Sequence, residues 1–85
     1  MSTTRVTTET VKQRAIRVIA VNLGVKEDQV VPTARFAEDL GADRWDMQET
    51  VMGLEEEFDL AIIEADAEKL RTVQDAFNLI STLVE

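Results

Sequence analysis

Arg44, Trp45 and Asp46, directly after Gly41-Ala42-Asp43, open a stretch whose chemistry is acidic rather than nucleophilic. Glu49, Glu55 and Glu56 fall on or beside one surface of the helix that this stretch predicts. Carboxylates can trade protons, hold cations or pair with basic partners. Glycoside chemistry needs two of them across an enclosed cleft, and a chain of 85 residues offers little room for one. The fixed spacing and central glycine of a calcium loop are absent, which leaves only weak, nonspecific divalent binding. The chain has no histidine and no cysteine. The usual general base, nitrogen ligand, thiolate and disulfide are therefore missing, which argues against a hydrolase triad, a zinc site and an enzyme in general. Hydroxyls are scarce here too: the only serines are Ser2 and Ser81, and Thr50 stands about two helical turns beyond Arg44.

The net charge of −8 is unevenly spread. Residues 1–36 carry three acids and six bases, whereas residues 37–68 carry twelve acids and the single base Arg44. Such a block repels nucleic-acid phosphates. It suits basic protein surfaces, whose encounter it would steer, or it is a solvated face that keeps the domain soluble.

Three amphipathic helices must position these groups, within one domain spanning residues 1–85. Residues 1–7 read as a disordered end. Thr7 or Thr8 can cap a first helix over Thr8 to Leu23, with Glu9 in its first turn. Val11, Ala15, Val18, Ile19 and Leu23 form its apolar stripe, and Gly24 suits the left-handed residue that ends a helix. Residues 25–42 have no sustained periodicity and read as a long loop. Val30, Val31, Phe36 and Leu40 would pin it to the core, with a short helical turn around Ala34 to Glu38. Asp43 caps the second helix with Asp46 at the third position. Met47, Val51, Leu54 and Phe58 are its buried stripe. Trp45, Gln48, Glu49, Met52, Glu55 and Glu56 lie on or beside the opposite surface. Glu55-Glu56-Glu57 is poorly placed for the helix dipole, which hints at a use for the acidity. Glu64 to Leu70 reads as a brief third helix. Thr72 then caps a fourth, with Asp75 at its third position and Val73, Ala76, Phe77, Ile80 and Leu83 buried. A small helical bundle buries such stripes together.

Phe36-Ala37-Glu38-Asp39-Leu40-Gly41-Ala42-Asp43 resembles the segment that leads into the carrier serine of bacterial acyl carrier proteins. Val51-Met52-Gly53-Leu54-Glu55-Glu56-Glu57-Phe58 resembles the rest of that family's second helix. Leu23-Gly24-Val25 resembles the end of its first helix. Ala67-Glu68-Lys69-Leu70 and Thr72-Val73-Gln74-Asp75-Ala76 resemble its passage from third to fourth helix. The resemblance spans about Val11 to Ile80. It implies an all-α, up-down four-helix bundle of the acyl carrier type, with a long first loop and a short third helix. It also implies a protein of fatty-acid or polyketide assembly, whose cofactor is 4'-phosphopantetheine.

At the position matching the family's serine stands Arg44, and a guanidinium has no oxygen through which the arm can be esterified. No phosphopantetheine is therefore expected. The next residue, leucine in the family, is Trp45. Apolar groove positions become Gln48 and Thr50, a lining that would disfavour an acyl chain. Asp43, Asp46, Glu49, Glu55 and Glu56 match the family's acidic docking face, and Met52 its exposed apolar contact. Arg44 is open to four readings: a surface residue, a phosphate binder, an internal partner for Asp43 or Asp46, or a contact to an acid on a partner. Trp45 is either an interface residue or a cover folded over the bundle edge. The implied protein docks as a monomer on basic surfaces of chain-assembly enzymes, or serves as an adaptor or competitor on carrier-docking surfaces. The polar start and the lack of a long apolar run suggest no signal peptide or membrane helix, and a cytoplasmic location.

Overall fold

The computed structural model describes residues 10–84. Among them lie helices α1 (Val11–Leu23), α2 (Arg44–Phe58), α3 (Glu64–Ala67) and α4 (Val73–Leu83), a 3-10 turn at Glu27–Gln29, and no strand. The all-helical expectation holds, with a long connection before α2 and a short α3.

The cap of α1 is Thr10. Its hydroxyl accepts from the Gln13 N–H at 3.1 Å, and the Gln13 side chain accepts from the Thr10 N–H at 3.3 Å. The reciprocal pair closes two of the amides that a helix start leaves open. Thr7, Thr8, Glu9 and the end at 1–7 lie outside the described residues; the extended backbone of Thr10 makes Val11 the first residue of α1. Gly24 (φ 68°) closes α1 in the left-handed conformation, its N–H donating to the Ala20 carbonyl.

Three buried faces meet in the core: Ala15, Ile19 and Ala20 from α1, Thr50 and Leu54 from α2, and Val73, Ala76, Phe77 and Ile80 from α4. Met47, Val51 and Phe58 are only partly buried against it. Leu83, expected in the core, is 38% exposed because it occupies the last helical position, beyond the end of the packed face. The helices α1 and α2 approach closely at Gly53. A Cβ there would stand 2.8 Å from Asn22 Nδ2 and 2.9 Å from Val18 Cγ1.

The connection between α1 and α2 is tied down by its own backbone. An isolated antiparallel bridge pairs Arg35 with Thr72. The Phe36 N–H donates to the Arg71 carbonyl at 2.9 Å, Val73 N–H to Ala34 at 3.0 Å, and Gln74 N–H to Pro32 at 3.0 Å. Within the connection the Asp39 N–H donates to the Arg35 carbonyl at 2.9 Å, a single helical turn close to the one expected at Ala34 to Glu38, with residues 36–40 in a turn. Val30, Ala34, Phe36, Leu40 and Ala42 are buried, but Val31 is exposed. Adjacent side chains on non-helical backbone point to opposite sides, so Val30 enters and Val31 cannot. The third helix ends at Ala67, short of the expected Leu70. Its tail tightens into three-residue hydrogen bonds, Lys69 N–H to Asp66 and Leu70 N–H to Ala67.

Candidate functional site

A reciprocal pair of aspartates sets the start of α2. Asp43 Oδ1 accepts from the Asp46 N–H at 2.8 Å, and Asp46 Oδ2 accepts from the Asp43 N–H at 3.1 Å. Both carboxylates sit at the positive end of the helix dipole, where they are favoured. Gly41 (φ 70°) turns the chain just before them. This fixes Arg44 as the first helical residue.

The Arg44 side chain is exposed and pairs with neither Asp43 nor Asp46, nor with any other described residue. The reading of an internal ion pair is thereby set aside. Trp45 is 68% exposed, so it stands out from the bundle rather than covering its edge. Met52, two turns on, is 59% exposed. Glu49 and Glu56 are exposed on either side of it along α2.

The acids at the end of α2 divide by role. Glu55 is half-buried, and its Oε2 accepts from the Ile62 N–H at 2.8 Å, fastening the chain that follows the helix. Glu57 pairs with Arg14 of α1 at 2.8 Å. Only Glu56 of the three is exposed. Part of the acidity that looked misplaced for the dipole thus has internal partners.

Thr50 does not line a groove. It is 1% exposed, facing the core, and its hydroxyl donates to the Asp46 carbonyl at 2.8 Å. That bond satisfies a buried polar group, and burial in the core keeps the oxygen out of reach of a reactant.

A groove of about 530 Å³ lies between α2 and residues 62–70, open to solvent along one side. From α2 it is lined by Arg44, Met47, Gln48, Val51 and Met52, and opposite by Ile62, Glu64, Ala67, Glu68 and Leu70. Gln48 lines it as expected. Sequence reasoning missed the acids of the opposite wall, although Glu64 and Glu68 stand at the i, i+4 spacing that shares a helix face. Arg44 and Gln48 also border a shallower hollow with Asp43 and Trp45.

The hydrogen bond from Arg35 holds Asp39 below the ordinary carboxylate range, and Arg35 is raised in return. Backbone N–H groups of Thr72, then Arg71, lower Asp75. Among the described residues no three acids converge to hold a metal ion, and no helix is long and apolar enough to cross a membrane. No protein-family model matches the chain.

Proposed function

We propose that this chain is a carrier-type helical domain, up-down in arrangement, that docks on enzymes of fatty-acid or polyketide assembly through α2 without itself bearing a phosphopantetheine arm. One observation carries the reading: the residue that opens α2 presents a guanidinium that no described residue pairs, where attachment of the arm requires a hydroxyl. The resemblance of several segments, in order and spacing, to acyl carrier proteins supports the rest. Asp43, Asp46, Glu49 and Glu56 supply the acidic docking face around Met52, with Glu55 contributing less because its carboxylate is engaged by Ile62. The partners are basic enzyme surfaces, met by a cytoplasmic monomer.

A second reading makes the chain an adaptor or competitor on carrier-docking surfaces. The exposure of Trp45 beside Arg44 favours it, because a large aromatic side chain standing in solvent is a typical interface anchor.

The test is an intact-mass measurement after incubation with coenzyme A and a phosphopantetheinyl transferase. The wild-type chain keeps its mass and Arg44→Ser gains one arm. A gain on the wild-type chain overturns the non-carrier reading. Failure of both chains to gain mass removes the carrier-type framework from the account. Glu49→Lys combined with Glu56→Lys weakens binding to a carrier-dependent synthase; unchanged binding takes the acidic face out of the mechanism.

A further inference from the structure

The groove between α2 and residues 62–70 is apolar inside and carries acids on the wall opposite α2. Met47, Val51, Met52, Ile62, Ala67 and Leu70 supply the apolar surface. Met52 lies one helical turn from Glu49 and one from Glu56, both exposed. Across the groove Glu64 and Glu68, also exposed, stand a turn apart. Arg44 is the one basic residue in the lining. At about 530 Å³ the groove has the size of a small-ligand site.

The charge selects the occupant. An anionic amphiphile would gain Arg44 and face Glu64 and Glu68 in the lining, with Glu49 and Glu56 exposed beyond Met52, within a segment of twelve acids and one base. A cationic one is attracted everywhere except at Arg44. Two methionines in the lining give a surface that reshapes around aliphatic side chains. A groove walled by helical residues, apolar inside and charged at the edge, matches helix-in-groove recognition.

We propose that this groove receives the apolar face of a basic amphipathic helix from a partner protein. Leucine-sized side chains one turn apart enter between Met52 and Ala67. Flanking lysines or arginines meet Glu64 and Glu68 on the wall opposite α2 and reach Glu49 and Glu56 beyond Met52. Arg44, at one end, meets the carbonyl end of the incoming helix, which fixes its direction. The inference deepens the docking reading, on which it rests for the choice of α2 as the docking face.

Isothermal titration of the full chain, with fluorescence of Trp45 as a second readout, tests it. The probe is a blocked peptide of about 14 residues made only of leucine and lysine, with the leucines on one helical face. Two controls have the same composition in scrambled order, and glutamate in place of lysine. The ordered peptide binds one to one, the scrambled one about tenfold more weakly, and the glutamate peptide not at all. Glu64→Lys with Glu68→Lys weakens the ordered peptide by about tenfold or more. Ala67→Phe, which fills the groove without changing charge, also weakens it. Equal affinity for ordered and scrambled peptides overturns the proposal, as does full affinity in both variants. Saturable binding of sodium decanoate without binding of the peptide makes the groove a lipid site and also overturns it. If Glu49→Lys with Glu56→Lys weakens synthase binding while the groove variants bind the peptide as wild type does, docking stands and the groove proposal falls.

Discussion

Arg14 grips the end of α2 through two atoms of one residue: its Nε donates to the Glu57 carboxylate at 2.8 Å and its Nη2 to the Glu57 backbone carbonyl at 2.7 Å. The guanidinium also lies 4.5 Å from the centre of the Phe58 ring. A cation here offsets both the open carbonyls and the negative dipole end of α2, work that no basic residue of that helix's last turn does. Arg14→Ala is expected to cost about 1–2 kcal/mol in urea unfolding, in line with lost charged hydrogen bonds at a half-exposed site. Arg14→Lys recovers less than half, because an ammonium cannot present the fork. Full recovery by lysine would show that charge alone matters.

Gly53 is set by the neighbouring helix. Alanine is the better helix former by about 1 kcal/mol, yet its Cβ would collide with Val18 Cγ1 and Asn22 Nδ2. Val18 is stiff at its first torsion, and Asn22 is held by its bond to the Val18 carbonyl at 2.9 Å. Gly53→Ala is therefore expected to lower stability by about 1–2 kcal/mol through overpacking. Adding Val18→Ala recovers part of the loss. Thermal melts of the two variants decide it, and a stabilised single variant would falsify the close contact.

Acid should unfold the domain through carboxyls such as Asp75. This group titrates lower in the fold because it accepts from the N–H of Thr72 and then of Arg71. A lowered folded pKa gives stability that is complete above the unfolded value, about 3.9, and is lost as pH falls through the folded one. Asp39, lowered by Arg35, acts with the same sign. Urea midpoints should hold steady from neutral pH down to about 5 and drop below about 4. Asp75→Asn makes the drop shallower; an equally steep acid limb would exclude Asp75 as a contributor.

Asp59 closes α2 with φ 54°, a left-handed conformation uncommon for residues other than glycine and asparagine. It also sets a negative charge against the negative end of the dipole. Asp59→Asn keeps the backbone tolerance and removes the charge, with an expected gain of about 0.3–1 kcal/mol. A melting temperature at or below the wild-type value would count against the dipole argument.

Local chemistry was legible in the sequence; long-range pairing was not. Asp43 with Asp46, and Thr72 with Asp75, are caps readable from three-residue spacing, and both form as expected. Thr10 was hidden behind Thr7 and Thr8, equally good caps by residue type, and its partner Gln13 is a less evident signal than an acid. The meeting of Arg14 with Glu57 joins residues 43 positions apart and leaves no trace in periodicity. Glu55 looked like any surface acid on its helix, because its partner is a backbone amide beyond the helix end. Thr50 looked like a groove residue because its place across the helix was judged from resemblance; packing put it in the core, where a hydroxyl is tolerated by bonding back to Asp46. The acidic far wall of the groove was missed because α3 was read for its length and not for the face that Glu64 and Glu68 share.

The bridge between Arg35 and Thr72 makes the longest non-helical stretch a splint rather than a slack hinge. A protease probing the folded chain would find few lengths of backbone there loose enough to thread through its cleft. Among the described residues, a nick beside the exposed Ala61 or Ile63 would first have to release Ile62, which is buried and held through its N–H by Glu55. Cutting there would free the α3 wall from its opposite side, so the fragments would reveal which half of the molecule holds together unaided.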